Sequence, residues 1–154
     1  MSDGRANRQG SAALEAALII VPLLAFICAV IDASMVMFMK NTMRQAAREG
    51  VRYAITGRTE AGMCQDASIK SIVQRSSMGF LDGTHGLDRI DVSYFDPKTF
   101  TASDNRPGNI VQVSIRNLPW SWIVPIWHSS APVRISAASS DVLELAANRV
   151  VPCR

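Results

Sequence analysis

A long run of apolar residues near the start of the chain constrains its fold more than any other feature. From Ala16 to Ile31, no residue carries a charge, a side-chain hydroxyl or an amide. Allowing polar interruptions, the run extends from Ser11 to about Met39 and would form a helix about 43 Å long at a rise of about 1.5 Å per residue. A bilayer has a hydrocarbon core of only about 30 Å. The sequence therefore predicts one membrane-spanning helix followed by a small folded domain.

Two other interpretations of this run are weaker. A buried core helix would need a large soluble domain around it, and the rest of the 154-residue chain is too small for that. A secretory signal peptide would have a shorter apolar region, of about 7 to 15 residues, before a small-residue cleavage site. The nearest such site, Ala33, follows Ile31 and Asp32, which suit that peptidase poorly. We therefore expect the apolar run to remain as a membrane anchor.

The formal net charge of +3 is confined to one short stretch. Residues 40–58 hold five basic side chains against one acidic one, whereas from residue 59 onward nine basic side chains balance nine acidic ones. A nucleic-acid-binding domain usually has a concentrated basic surface. The C-terminal domain is neutral, so no nucleic-acid partner is predicted.

A glutamate lies at the N-terminal end of the apolar run. Glu15 follows Gly10 by five residues, and a carboxylate at this place is costly in lipid. The arrangement resembles the prepilin class, in which a membrane peptidase cuts after a glycine that ends a short basic leader. The resemblance implies a leader of residues 1–10 and cleavage between Gly10 and Ser11. The cost of the charge in lipid further predicts that Glu15 pairs with the new amino group of Ser11, either of a neighbouring subunit or of its own chain.

Four features extend the resemblance along the chain: Glu15, Pro22 within the apolar run, Asp32 near its end, and the AAREGVRYA segment from Ala46 to Ala54. With these features, residues 10–57 resemble the TadE family of pilin-like proteins from tight-adherence (Flp-type) pilus systems. The pilin subunits of these systems usually have tyrosine after the glutamate, where this chain has Ala16.

The resemblance implies a function and a set of partners. The expected protein is a non-enzymatic minor pilin or pseudopilin-like subunit that takes part in pilus assembly, since the major subunits are very short and this chain has a large C-terminal domain. Implied partners are other pilins or pseudopilins, pilus assembly platform proteins, the prepilin peptidase and membrane lipid. No cofactor is implied. The alternative is a single-pass envelope scaffold or sensor unrelated to pili, and a weaker one is an anchored periplasmic enzyme.

The apolar run continues into an amphipathic helix. One set of apolar residues and one set of basic residues recur every three or four positions, so each set forms a stripe along the helix. The apolar stripe predicts packing, whereas the basic stripe is either a solvated face or a contact for lipid phosphates before assembly and for acidic neighbours in a filament. Gly57 should end the helix, so that residues 11–57 form the transmembrane helix and its extension. The apolar stripe is Met43, Ala47, Val51 and Ala54, and the basic one is Lys40, Arg44, Arg48 and Arg52.

The remaining residues, 58–154, are predicted to form an α+β domain with a small antiparallel sheet and a short packing helix, as in pilins. The helix is expected from about Asp66, as a possible N-cap, to Met78, with Gly79 as its terminator. Alternating apolar residues predict strands in RIDVSYF and NIVQVSIRN. A last strand is predicted from Val133 to about Leu143, with a helix over 141–150 as the alternative.

The sequence gives conflicting indications of orientation. Two basic residues precede the apolar run and five follow it, so the positive-inside rule alone places the C-terminal domain in the cytoplasm. The cysteines indicate the reverse, because Cys64 and Cys153 bracket the domain in a pattern suited to one disulfide in an oxidising compartment, while Cys28 lies in the apolar run. We expect an inner-membrane protein with a periplasmic domain that becomes pilus-associated or extracellular after assembly.

The segment from Leu118 to Pro132 contains all three tryptophans: Trp120, Trp122 and Trp127. It is predicted to be an irregular loop packed on the sheet, or a contact surface for pilus proteins or the membrane interface. Catalytic residues are not apparent, since His85 and His128 lie in polar loop-like sequence without a partner pattern. No metal or phosphate-binding motif occurs.

Overall fold

The computed structural model describes residues 3–122, 132–144 and 153–154. Three helices precede three strands, which form an antiparallel sheet in the order β1-β2-β3. The predicted α+β fold, with a long N-terminal helix and a short second helix, is confirmed. The elements are α1 (Asp3–Ile55), α2 (Gln65–Ser76), α3 (Thr84–Leu87), β1 (Ile90–Phe95), β2 (Ile110–Trp120) and β3 (Val133–Val142).

Helix α1 is long and apolar enough to cross a membrane. By length and composition the candidate span is Ser11–Ile55, and its most apolar window has a mean hydropathy of 2.7 with none of its residues buried. Pro22 lies within the helix. Proline is tolerated in membrane helices, where neighbouring groups compensate the lost backbone hydrogen bond. Gly57 adopts φ 58°, and its N–H bonds to the carbonyl of Ala54, so the helix ends where the sequence predicted.

The described residues divide into two compact units. One contains α1 up to Val36 together with Ser121, Trp122 and Pro132. The other, here called the head, comprises Met37–Trp120 with residues 133–144 and 153–154. The C-terminal part of α1 is therefore a structural element of the head.

The apolar stripe of α1 lies in the core of the head. Small residues dominate this buried surface, and the helix backbone consequently approaches its neighbours closely. A Cβ atom on Gly50 would overlap Cγ2 of Val73 in α2 and lie 3.4 Å from Cγ1 of Val113 in β2. Only glycine fits this contact without displacement. The buried residues of α1 in the head are Met39, Thr42, Met43, Ala46, Ala47, Gly50, Val51 and Ala54.

The sheet buries one face of each strand, because side chains alternate along a strand. Ile90 pairs with Ile115, and Val92 pairs with Val113, so apolar side chains meet across β1 and β2. Between Ile115 and Leu118 the pairing of β2 with β3 shifts. This bulge restores Leu118 to the buried face, opposite Ile135.

Several sequence predictions about local structure were wrong in detail. Strand β2 continues to Trp120, although a loop was predicted from Leu118, because the bulge at Asn117 (φ 53°) keeps the chain in the sheet. Helix α2 begins at Gln65 with Cys64 as N-cap, so Asp66 is not its cap. It ends at Ser76 with Ser77 as C-cap, before Gly79.

Strand β3 follows the predicted strand as far as Val142. Leu143, where the strand was expected to end, is buried and continues the pairing, since its N–H donates to the carbonyl of Asn109. The alternative helix over 141–150 is wrong at 141–144, none of which is helical, and residues 145–150 lie outside those the structure describes.

Candidate functional site: basic face and disulfide cluster

The basic stripe of α1 is exposed over its whole length. Lys40, Arg44, Arg48 and Arg52 are all exposed to solvent. At about 1.5 Å per residue, this basic face extends for about 18 Å. Within the described ranges, none of the four side chains forms an ion pair. The four positive charges are therefore available to an external partner.

The residues predicted for processing lie in the first part of α1, where Ser11 and Glu15 are exposed. Ser11 and Glu15 are one helical turn apart, and the hydroxyl Oγ of Ser11 donates to Oε1 of Glu15 at 3.4 Å. Gly10 lies within the same helix. A glutamate side chain thus already faces the position where cleavage after Gly10 would create a new amino group.

A disulfide joins Cys64 to Cys153, the pair predicted from the sequence, with Cα atoms 4.8 Å apart. The backbone reinforces this link, since the N–H of Gln65 donates to the carbonyl of Cys153 at 2.7 Å. Cys28 is a free cysteine in α1. The disulfide therefore holds Cys153 beside the start of α2, although the two cysteines are 89 positions apart in the sequence.

Arg154 extends the disulfide into a charged cluster with Asp66 and Tyr94. Its Nε donates to Oδ2 of Asp66 at 3.1 Å, and its guanidinium lies 4.9 Å from the centre of the Tyr94 ring. The other oxygen, Oδ1 of Asp66, accepts the Tyr94 hydroxyl at 2.8 Å. We call Cys64, Cys153, Arg154, Asp66 and Tyr94 the disulfide cluster. It connects α2, β1 and residues 153–154.

The cluster perturbs the ionisation of Tyr94. Burial of the side chain raises the pKa of Tyr94 far above its usual value, and the hydrogen bond to the Asp66 carboxylate adds to the increase. Arg154 opposes this effect because a cation favours the phenolate. Tyr94 is consequently a neutral hydrogen-bond donor throughout the physiological pH range.

Tyr94 should make the stability of the head sensitive to alkaline pH. Its pKa is higher in the folded state, so its contribution to the free energy of unfolding is fully present below the unfolded value of about 10 and is lost as the pH rises through the folded pKa. Tyr94→Phe should therefore flatten the decline in stability above pH 10. Urea unfolding across this range measures the effect, with Tyr53→Phe as the matched control. Equal slopes for wild type and Tyr94→Phe would contradict the assignment.

A buried polar chain lies beside the cluster. Nε2 of Gln65 donates to the carbonyl of Ala54 near the end of α1 at 3.3 Å, and Oε1 of Gln65 accepts from Nδ2 of Asn105 at 2.6 Å. Both side chains are buried, where an unmade hydrogen bond would be costly. These bonds fix α1, α2 and the β1–β2 connection relative to one another.

The tryptophans are only partly described. Trp120 ends β2 opposite Val133 and is half-buried, and Trp122 is also half-buried. Within the described part of the chain, the buried Nε1 of Trp120 has no hydrogen-bond partner. Trp127, the third predicted contact residue, lies outside the described residues.

The described histidine and one surface depression lie outside the basic face and the disulfide cluster. His85 is exposed, and its Nδ1 lies 3.9 Å from Oδ2 of Asp88. His128 lies outside the described residues. Within the described residues, no group of three or more His, Cys, Asp or Glu side chains could hold a metal. A depression of about 320 Å³ on the outer sheet face contains none of the predicted site residues; it is lined by Phe95, Phe100, Ile110, Gln112 and Ser140.

The structural class follows from these features: a candidate single-pass membrane helix continues into the core of a small α+β head. Residues 10–52 match the family model described as TadE-like protein. The resemblance seen in the sequence is confirmed over this segment, which covers the candidate membrane span except for its last three residues and includes the basic face and Gly50. The match indicates a role related to tight-adherence pili. No curated protein and no solved structure gave a significant match to the chain.

Proposed function

We propose that this protein is a non-enzymatic minor pilin or pseudopilin-like subunit that acts in the assembly of tight-adherence pili. The main support for the proposal is that α1 has two roles, as a candidate membrane anchor and as part of the head. Its apolar part matches a pilus-related family, while its later turns bury one face in the head and expose Arg44, Arg48 and Arg52 on another. A helix of this kind can anchor a subunit and still present charges to a neighbour.

The proposed arrangement has three parts: a leader (1–10), a transmembrane helix with its extension (11–57) and a periplasmic domain (58–154). The protein would cross the inner membrane once and become pilus-associated or extracellular after assembly. The Cys64–Cys153 disulfide supports a periplasmic location, since disulfides persist mainly in oxidising compartments. Its partners would be other pilins, assembly platform proteins, the prepilin peptidase and membrane lipid.

Processing provides one test of this arrangement. Co-expression with the prepilin peptidase should shorten the chain by the ten residues that end at Gly10. Intact-mass measurement distinguishes the products, and Gly10→Leu should block the change by removing the small residue at the cut. An unchanged mass for the wild-type chain, or cleavage near Ala33, would contradict the proposed leader.

The basic face provides the test of function. We propose that Arg44, Arg48 and Arg52 pair with acidic groups on a neighbouring pilus subunit, because complementary charge steers and orients protein association. Changing all three to Glu reverses the charge of this face. Pili on cells lacking the native gene should be restored by wild type and reduced at least tenfold with the triple variant, as counted by electron microscopy.

A matched variant separates this effect from a general change in net charge. Arg58, Lys98 and Arg134 are also exposed but are not part of the basic face, and their change to Glu alters the net charge equally. This control should restore pili. Both variants should enter the membrane and form the disulfide. Normal piliation by the α1 variant would reject the contact, and normal piliation without the gene would favour a scaffold or sensor unrelated to pili.

A further inference from the structure

The contacts around Arg154 form a noncovalent clamp that is separate from the disulfide itself. Besides its ion pair with Asp66 and its position over the Tyr94 ring, Arg154 donates from Nη1 to the carbonyl of Ser103 at 3.4 Å. The backbone bond from Gln65 to Cys153 adds a fourth contact. None of these contacts uses a sulfur atom, so all of them can form while both cysteines are thiols.

The partners of Arg154 are held in place by contacts that do not involve residues 153–154. Asp66 lies in the first turn of α2, and Tyr94 is buried in β1 with 1% of its surface exposed. Their mutual hydrogen bond fixes the carboxylate in the orientation that accepts Arg154. Partial burial strengthens this ion pair, because the Asp66 side chain is only 24% exposed and the ring of Tyr94 covers one side of the guanidinium.

We propose that Arg154 is a positioning residue that docks the Cys153 thiol against Cys64, so that a folded head forms the disulfide by exchange with a disulfide-bearing oxidant. This inference does not depend on the role in pili. Docking by Arg154 makes disulfide formation the last step of folding. The Cys64–Cys153 bond then forms only in heads in which α2 and β1 are already assembled.

The disulfide forms in two exchange steps. A Cys153 thiolate, the more exposed of the two, attacks the oxidant disulfide, forms a mixed disulfide and releases one thiolate of the oxidant. The Cys64 thiolate then attacks the Cys153 sulfur and releases the second. The two cysteines lose two electrons to the oxidant, and their two protons protonate the released thiolates. Cys64 suits the closing attack because it is the N-cap of α2, where the helix dipole favours a thiolate.

Glutathione provides the quantitative test. The full-length protein in detergent, with Cys28→Ser in every variant so that only two thiols remain, is equilibrated with mixtures of reduced and oxidised glutathione. Arg154→Met keeps an unbranched, flexible stem but removes the guanidinium and its charge, and should lower the equilibrium constant for disulfide formation about tenfold, as expected for loss of a partly buried ion pair and a cation–π contact. The mixed disulfide should accumulate in this variant. Arg106→Met, which removes the exposed Arg106–Asp104 pair instead, should leave the constant unchanged.

Amide hydrogen exchange distinguishes docking from a general gain in stability. In the Cys64→Ser/Cys153→Ser chain, the N–H of Gln65 should stay protected, because it bonds to the carbonyl of residue 153 when the clamp is closed. Adding Arg154→Met should remove that protection while amides of β1 and β2 retain theirs. An unprotected Gln65 amide before Arg154 is changed, or equal glutathione constants for wild type and Arg154→Met, would overturn the proposal.

Discussion

Replacing Cys64 or Cys153 with serine is expected to lower the free energy of unfolding of the head by about 4 to 5 kcal/mol. The bond closes a loop across 89 sequence positions, and cross-linking so long a loop removes much conformational entropy from the unfolded chain. A loss of this size is a large share of the stability of a small domain, which is about 5 to 15 kcal/mol. Urea unfolding in detergent measures the difference, and limited proteolysis should show faster cleavage of the head.

The free cysteine supplies the control. Cys28→Ser removes a thiol from α1 without opening a loop, so its unfolding midpoint should match that of wild type. Reduction of the wild-type protein should reproduce the effect of the single substitutions. If Cys64→Ser and Cys153→Ser each lowered the free energy of unfolding by less than about 1 kcal/mol, the unfolded chain would already be compact. The entropic gain from a disulfide depends on how extended the unfolded chain is.

Gly50→Leu is expected to destabilise the head by about 3 kcal/mol, the upper part of the usual range for overpacking. Even a Cβ at this position overlaps Val73, and Val113 and Ile69 block the neighbouring directions at 3.4 and 3.5 Å. The leucine must therefore displace α1 from both α2 and β2. Urea unfolding monitored by circular dichroism provides the measurement.

Two variants isolate the packing effect. Glu49→Leu places the same side chain on an exposed position of the same helix and should change stability little. Val73→Ala removes the atom that a Cβ at residue 50 would overlap. Combining it with Gly50→Ala should therefore give a double variant more stable than the sum of the two single effects predicts. Simple additivity would show that the close approach at Gly50 is not what limits its substitution.

The predictable parts of this fold are those governed by short-range pattern. The apolar run dictates α1, and the four-residue spacing of Met43, Ala47 and Val51 identifies the side of α1 that enters the core. Period-two alternation likewise located β1 and most of β2. These patterns succeed because the same geometry that spaces side chains along an element also determines which of them are buried.

The contacts of the disulfide cluster could not be predicted from the spacing of residues in the sequence. Asp66 has the sequence position of a helix cap, but its carboxylate binds Tyr94, 28 positions away, and Arg154, 88 positions away. Neither partner is indicated by spacing. The cysteine pair gave an indirect signal, because a bond from Cys64 to Cys153 necessarily brings their neighbours together. The bulge before Leu118 escaped prediction for a similar reason, since only pairing with β3 reveals it.

The burial of α1 in the head determines where the chain can be truncated to give a stable fragment. A soluble fragment beginning at Arg58, after the helix, would lack one wall of the core and leave Ile69, Val73 and Val113 without their neighbours. A fragment beginning at Met37 would retain the buried stripe and omit the most apolar turns. The practical boundary for crystallisation or for an immunogen thus lies within a continuous helix.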